Sequence, residues 1–330
     1  MVQTRASFRG STTLMSCWLI LAGIAAPALL SAQQPDTAKT DTARVTTLKT
    51  IEVTNSIAPT AGPAIGSGIP ARISTVTGAA IEAWEPRLLA DALGSQTGIS
   101  LYDDLGSPFK LNLSSRGFNV GPVVGLPPGI SVFLDGVRQN EPDAAEVNFD
   151  LLPMEHVQRV ELLSGSGSLL GSNSLGGAIN LITRRGTGPL EAEAELSGGS
   201  YGSYSGEASV DGVSHGGWDY YLAGGYENED GWREATGADN LNGFLNLGRR
   251  GPAHGISLQA FGAESNAETA GSLPESIFST SPSTNFTIGD FDDLNQLQAS
   301  VNGYTTLGSS RGSFTAYVRR SHAERFNVNQ

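Results

Sequence analysis

The sequence lacks the residues from which disulfide-bonded and cysteine-rich zinc proteins are built. Its 330 residues include one cysteine, Cys17, which excludes an internal disulfide framework and a zinc site made of several cysteines. Charged side chains are also scarce, at 16% of the chain, and their formal sum is −13. This excess of negative charge makes nucleic acid a poor electrostatic partner, and we predict no nucleic-acid binding.

Long apolar runs and catalytic motifs are lacking as well. After residue 32 no run approaches the ~18 apolar residues that indicate a transmembrane helix, so a mature chain that enters a membrane must use strands. The sequence has no G-K-[ST] phosphate loop and no H-E-x-x-H motif. The glycines at 165–171 are spaced one residue too widely for a dinucleotide fingerprint. We predict no enzyme activity, no catalytic residue, no cofactor and no metal.

The N-terminus has the pattern of an export signal. Arg5 and Arg9 precede an apolar run over 17–26, and small residues follow up to Ala32. Pro27 interrupts the run, which argues against a membrane anchor. We predict a signal peptide at 1–32, followed by a polar, flexible arm at 33–55.

Glycine, in contrast, is abundant, at 42 of 330 residues. Because it costs about 1 kcal/mol per helix position relative to alanine, this content favours strands and turns. Residues 56–186 have the pattern of a compact α+β domain, with helical spacing at 78–93 and a type I′ hairpin at Asp135-Gly136. The predicted strands are 73–76, 111–116, 130–134, 157–163 and 178–183.

Residues 187–330 alternate apolar and polar side chains in about seven segments of 8–11 residues. Leu190, Ala192 and Leu196, for example, alternate with glutamates. Short connections such as 248–255 alternate with long ones such as 264–294. This pattern is typical of an outer-membrane β-barrel wall, with a soluble β-sandwich as the alternative.

Six phrases, in order, resemble the plug domain of TonB-dependent outer-membrane receptors. They are ISTVTGAAIE (73–82), LADALGSQTGI (89–99), LSSRGF (113–118), VFLDGV (132–137), LLPMEHVQRVEL (151–162) and GSNSLGGAINLITR (171–184). Each phrase alone is weakly specific, whereas the ordered series is highly specific. The signature residues that the resemblance identifies are Arg116, Gly117, Phe118, Asp135, Gly136, Arg159, Glu161, Gly171, Gly176, Gly177 and Asn180.

The resemblance implies an α+β plug domain followed by antiparallel, all-β transmembrane strands of a 22-stranded barrel. Seven strands are too few to close such a barrel, so we expect the chain to be a fragment, a truncated reading frame or one part of a split gene. The family usually has Arg-Gly-Pro where Ser164-Gly165-Ser166 stands here. That difference puts one polar plug–barrel contact in doubt.

The resemblance also implies an energy-coupling segment and a cargo. Thr50, Ile51, Glu52, Val53 and Thr54 resemble the TonB box, which binds the periplasmic protein TonB, although they could instead form the first strand of the plug. We predict a receptor in the outer membrane, in contact with its lipid, that takes up a scarce nutrient, a ferric siderophore being the commonest cargo in the family. The alternatives are a non-transporting remnant or plug-bearing binding protein, and an exported soluble enzyme.

Overall fold

The computed structural model describes residues 2–9, 72–76, 98–123, 128–143, 145–165, 172–308 and 310–328, with the single residues 78, 81, 93 and 96. No helix in this part of the chain has both the length and the apolar character needed to cross a membrane. Its strands are β1 (Val2–Arg9), β2 (Arg72–Val76), β3 (Ile99–Tyr102), β4 (Asn112–Ser115), β5 (Phe118–Val120), β6 (Ile130–Leu134), β7 (Val137–Arg138), β8 (Val157–Ser164), β9 (Gly177–Thr183), β10 (Glu191–Gly198), β11 (Tyr204–Val213), β12 (Asp219–Glu229), β13 (Ala238–Arg250), β14 (His254–Glu268), β15 (Phe291–Leu307) and β16 (Ser310–Phe326).

Two small sheets form the α+β unit at 72–183. The first has the order β2-β8-β9-β6-β7, in which only β6 and β9 are parallel, and the second has the order β3-β4-β5. Short 3₁₀ turns lie at Pro108–Lys110, Phe149–Leu151 and Met154–His156. Apolar side chains from both sheets and these turns share one buried core, which includes Leu113, Val132, Phe149, Met154, Val160 and Leu181.

The predicted strands of this unit are observed within one or two residues of their expected ends. Strands β3, β5 and β7 were not in the predicted set, because each has only two to four residues and lies at the edge of its sheet. The predicted helical segment 78–93 lies mostly outside the described residues. Ile81 and Leu93 within it are both buried in the core.

The second half of the chain is a single antiparallel sheet, the wall, in which β10 to β16 pair in chain order. Long connections at 230–237 and 269–290 lie at one end, which we call the long-loop end, and a short α1 (Glu275–Phe278) lies in the second of them. The turns at 214–218, at 251–253 and at Gly308 lie at the other end. This alternation of connection lengths agrees with the expectation from sequence.

The two faces of the wall carry opposite kinds of side chain. The outward face exposes apolar residues, among them Leu222, Leu241, Leu258 and Leu297 at 42–63%. The inward face buries polar residues against the α+β unit, including Asn240, Asn246, Gln259, Gln296 and Gln298. Tyr221, Phe244 and Phe261 also face inward and join the core of that unit.

The later wall strands are longer than predicted. β14 has 15 residues and β15 has 17, so the connection predicted at 264–294 shortens to 269–290. The alternation of apolar and polar residues ends before the strands do, because Glu264 and Asn295 face outward as a register pair beyond the apolar positions. The backbones of β14 and β15 stay paired beyond this point, although the alternation that predicted the strands has ended.

Residues 2–9, which were predicted to begin the signal peptide, form β1 and pair antiparallel with β10. The register places Arg5 opposite Glu195 and Arg9 opposite Glu191. The rest of the predicted signal peptide and the arm at 33–55 lie outside the described residues, and both stay predictions.

Candidate functional site

Two signature dipeptides are tight turns of the α+β unit. Arg116 and Gly117 connect β4 to β5 with φ of 54° and 84°, and Asp135 and Gly136 connect β6 to β7 with φ of 46° and 85°. Two consecutive left-handed residues are what a type I′ hairpin requires, and glycine adopts that conformation without strain. The hairpin predicted at Asp135 is therefore confirmed.

The signature glycines allow close packing around Phe118. A Cβ atom on Gly176 would lie 2.6 Å from the Phe118 Cβ, and the Gly176 N–H donates to the Gly129 carbonyl at 2.8 Å. Gly177 has φ of 130°, and a side chain there would overlap the Leu163 carbonyl. A larger residue at 176 would separate the two sheets at Phe118, and a larger residue at 177 would separate β8 from β9. Gly171 lies outside the described residues.

Arg159, Glu161 and Asn180 come together across β8 and β9. Glu161 is fully buried and is the register partner of Asn180. Its Oε2 accepts a hydrogen bond from Asn180 Nδ2 at 3.1 Å, and its Oε1 lies 3.0 Å from Arg159 Nη2. Because a buried carboxylate is costly without partners, these contacts explain why the three residues occur together.

Asp135 joins the α+β unit to the wall. Its Oδ2 accepts hydrogen bonds from the Thr183 hydroxyl at 2.6 Å and from Gln259 Nε2 of β14 at 2.8 Å. Burial raises the pKa of Asp135, and these hydrogen bonds work against that rise. Gln259 Oε1 in turn accepts hydrogen bonds from Ser300 and Asn302 of β15. One signature turn is thus held by two neighbouring wall strands.

A buried ion pair holds the unit to the wall near the long-loop end. The side chains of Lys110 and Asp150 have no exposed surface, and Lys110 Nζ lies 2.6 Å from Asp150 Oδ2. The Ser265 hydroxyl donates to the same oxygen, and Asn240 Nδ2 donates to the Asp150 carbonyl. Sequence analysis missed this pair; the signal that could have found it is a single lysine among apolar residues at 108–113.

Two arginines of β16 reach back to the α+β unit, and they were also missed. Arg325 Nη1 lies 2.8 Å from Glu146 Oε1, and its Nη2 donates to Asn148 Oδ1 at 3.1 Å. Arg319 Nη1 donates to the carbonyls of Arg138 and Gln139, each at 3.1 Å. Both arginines lie on the inward, polar face, so the alternation does not mark them, and their partners are distant in sequence.

Glu155 and His156 lie against β11 to β13. His156 Nε2 lies 3.2 Å from Asn242 Oδ1, whose amide nitrogen donates to Glu155 Oε1, and the Tyr221 hydroxyl lies 3.3 Å from His156 Nδ1. Burial, together with the Glu207 and Glu227 carboxylates, raises the pKa of Glu155 to about 8. Burial lowers the pKa of His156 to about 4. Both side chains are therefore mostly neutral at pH 7.

Comparison with known proteins identifies the α+β unit. The family described as TonB-dependent Receptor Plug Domain matches residues 67–178. These residues are a TonB-dependent receptor plug domain. The predicted resemblance is confirmed, and the plug lies against strands that are similar to those of TonB-dependent receptor barrels.

Two known proteins are similar to part of this chain. The chain is 30% identical over 153 residues to the vitamin B12 transporter BtuB of Vibrio vulnificus, and 37% identical over 91 residues to the rhizobactin receptor of Rhizobium meliloti. These matches cover 46% and 26% of this chain. The relatives are a transporter and a receptor rather than enzymes, which confirms the prediction that the chain is not an enzyme.

Solved structures show the same fold. The unliganded ferric citrate transporter FecA superposes with a TM-score of 0.66 at 15% identity, over 78% of this chain and 41% of that one. A pyoverdine-bound FpvA of P. aeruginosa gives a TM-score of 0.64 at 20% identity, covering 78% and 35%. The chain spans 24% and 12% of the lengths of the BtuB and rhizobactin-receptor relatives.

Proposed function

We propose that the chain is the plug and the first wall strands of an outer-membrane receptor for energy-coupled nutrient uptake. The observation that carries this proposal is the pairing of a plug domain with a wall that is apolar outside and polar inside. Such a wall suits lipid on its outward face. Further strands would complete a closed barrel, which we propose has the 22 strands of plugged transporters.

Energy for uptake would come from the periplasmic protein TonB. Residues 50–54 resemble a TonB box, and an extended segment of this kind adds to a partner as an edge strand through backbone hydrogen bonds. By resemblance, a pull on this segment would rearrange the plug and open a path for cargo. The export signal at 1–32 and an outer-membrane location belong to the same proposal.

A ferric siderophore is the cargo that we propose first, supported by the similarity to the rhizobactin receptor. Vitamin B12 is the second candidate. It is supported by the similarity to BtuB, which covers more of the chain than the similarity to the rhizobactin receptor does. Uptake of a radiolabelled ferric siderophore and of radiolabelled vitamin B12 by a strain lacking the gene distinguishes the two. A strain that takes up both cargoes normally would instead favour a non-transporting, plug-bearing binding protein.

The role of TonB is tested by Val53→Pro in the chromosomal gene. Proline removes a backbone donor and cannot extend a strand, so we expect uptake to be lost while cargo binding at the cell surface persists. Val45→Pro, in the same arm but outside the proposed box, is the matched control and should leave uptake unchanged. Normal uptake by the Val53→Pro strain would contradict the assignment of the box.

A further inference from the structure

The two long wall connections and one plug loop are fastened together at the long-loop end. The Ala270 N–H donates to the Leu105 carbonyl of the plug at 2.6 Å. The Glu234 N–H donates to the Ser283 carbonyl at 2.9 Å, and Asn285 Nδ2 donates to the Ala235 carbonyl at 3.2 Å. Loops 230–237 and 269–290 and the plug loop 103–107 thus share direct hydrogen bonds.

Arg233 lies at the centre of this junction. Its Nη2 donates to the carbonyls of Thr284 at 2.9 Å and Gly271 at 3.1 Å, and its Nη1 donates to the Ala270 carbonyl at 3.4 Å. All three acceptors belong to loop 269–290. A planar guanidinium can serve several carbonyls at fixed angles, which the single ammonium of lysine cannot.

The same guanidinium faces the plug loop. A Cβ atom on Gly106 would lie 3.0 Å from Arg233 Nη1, so glycine lets the charged group approach the plug backbone. Asp103 Oδ1 accepts the N–H groups of Leu105 and Gly106 at 3.1 and 2.6 Å, which fixes the loop. The Arg233 charge also acts on Asp103, since it opposes the rise in the Asp103 pKa that partial burial causes.

We infer that Arg233 is a positioning residue that makes the place of loop 269–290 depend on plug loop 103–107. Loop 269–290 carries the exposed apolar side chains of Phe278, Phe286 and Ile288. A ligand that displaces the plug loop would therefore also move these three side chains. The inference rests on the proposed function only in that this end would face arriving cargo.

Hydrogen exchange of the full chain in detergent micelles, followed by mass spectrometry, tests the inference. Arg233→Ala should speed exchange about tenfold or more in 270–285 and also in 103–107, because several charge-assisted hydrogen bonds are lost. Arg233→Lys keeps the charge and should give a smaller increase. Arg249→Ala, an exposed arginine of β13, is the matched control and should change neither segment.

A substitution on the plug side of the junction gives the decisive test. Asp103→Asn keeps an oxygen that can accept the two loop N–H groups but removes the negative charge that acts on Arg233, so exchange should rise in 270–285. Coupling between two sites must act in both directions. The inference is overturned if Asp103→Asn leaves 270–285 unchanged, or if Arg233→Ala affects 270–285 alone. Exchange needs neither TonB nor cargo, so failure of the proposed transport function would be seen separately.

Discussion

Strand β6 of the plug and strand β14 of the wall place apolar residues in opposite surroundings. All five residues of β6 are buried, as in a sheet covered on both faces. In β14, Leu258 is 42% exposed while its neighbour Gln259 is 9% exposed. The difference shows that the two faces of the wall suit different surroundings, because apolar side chains are exposed on the outward face while polar side chains meet the polar surface of the plug on the inward face.

The polar inner face is stable only because the plug supplies partners. Gln259 Nε2 donates to Asp135 Oδ2, and Asn246 Nδ2 donates to the Arg184 carbonyl at 3.2 Å. In the other direction, Gln139 Nε2 of the plug donates to Gln298 Oε1 of the wall at 3.2 Å. A buried polar group without a partner costs about 1–3 kcal/mol. The plug and the wall therefore stabilise each other through hydrogen bonds as well as through the apolar contacts of Tyr221, Phe244 and Phe261.

The largest effect should come from breaking the most deeply buried of these contacts. Lys110→Ala leaves the Asp150 carboxylate buried without its cation, and we expect a loss of about 3–5 kcal/mol in the free energy of unfolding. Urea unfolding of the full chain in detergent micelles measures it.

The double variant Lys110→Met with Asp150→Leu is the control for this experiment. It removes both charges and fills similar volume, so it should recover much of the lost stability. A loss below about 1 kcal/mol for Lys110→Ala would mean that the ion pair does not hold the plug to the wall.

A charge on the outward face tests the other half of the comparison. Leu258 lies near the middle of the outward apolar positions 256–262, and Leu258→Arg should cost about 2–4 kcal/mol in lipid vesicles. Asn295→Arg is the matched control, because Asn295 faces outward just beyond those positions and is opposite Glu264; it should change stability by no more than about 1 kcal/mol. Equal effects of the two substitutions would argue against lipid on this face.

The sequence alone was sufficient for most of the fold. Strict alternation predicted the wall, since a strand with two different faces repeats every two residues. Asp135-Gly136 predicted its hairpin, since glycine relieves the left-handed backbone there. The ends of β14 and β15 could not be predicted, because Glu264 and Asn295 end the apolar pattern while the backbone pairing continues.

Residues of the candidate site could be predicted only where they belong to the phrases that resemble the plug family. Asp135, Glu161 and Asn180 were found through the family phrases, but Lys110, Arg233 and Arg325 were not. Their partners lie tens of residues away or more in sequence, in loops or on the wall, and no local pattern encodes such pairs. Charged residues that are buried by a distant partner need the tertiary structure to be recognised.

The smallest expected effect is the dependence of stability on pH that arises from Glu155 and His156, which are mostly neutral at the interface between plug and wall. Glu155 is faced by Glu207 of β11 and Glu227 of β12, with His156 beside it in the same turn. Its pKa is about 8 in the folded chain against 4.5 ordinarily. Between these values the folded chain keeps a proton that the unfolded chain releases, so its contribution to stability falls as pH rises through this window.

His156 has the opposite slope, because its pKa falls from 6.5 to about 4 on folding. Its contribution is present above pH 6.5 and is lost as pH falls toward 4, so the two slopes oppose each other below 6.5. Between pH 6.5 and 8 only the Glu155 effect remains. Urea unfolding should therefore show the wild-type chain losing stability across that window, and Glu155→Gln should remove the loss.

Glu275→Gln, at an exposed glutamate of α1, is the control and should keep the wild-type slope. A Glu155→Gln chain with an unchanged slope would mean that Glu155 is already ionised at the interface. The plug would then meet the wall across three negative charges, and the neutral contact inferred from Asn242 and Tyr221 would be wrong. The pH slope thus reports directly whether the inward face of the wall is polar but uncharged where it meets Glu155.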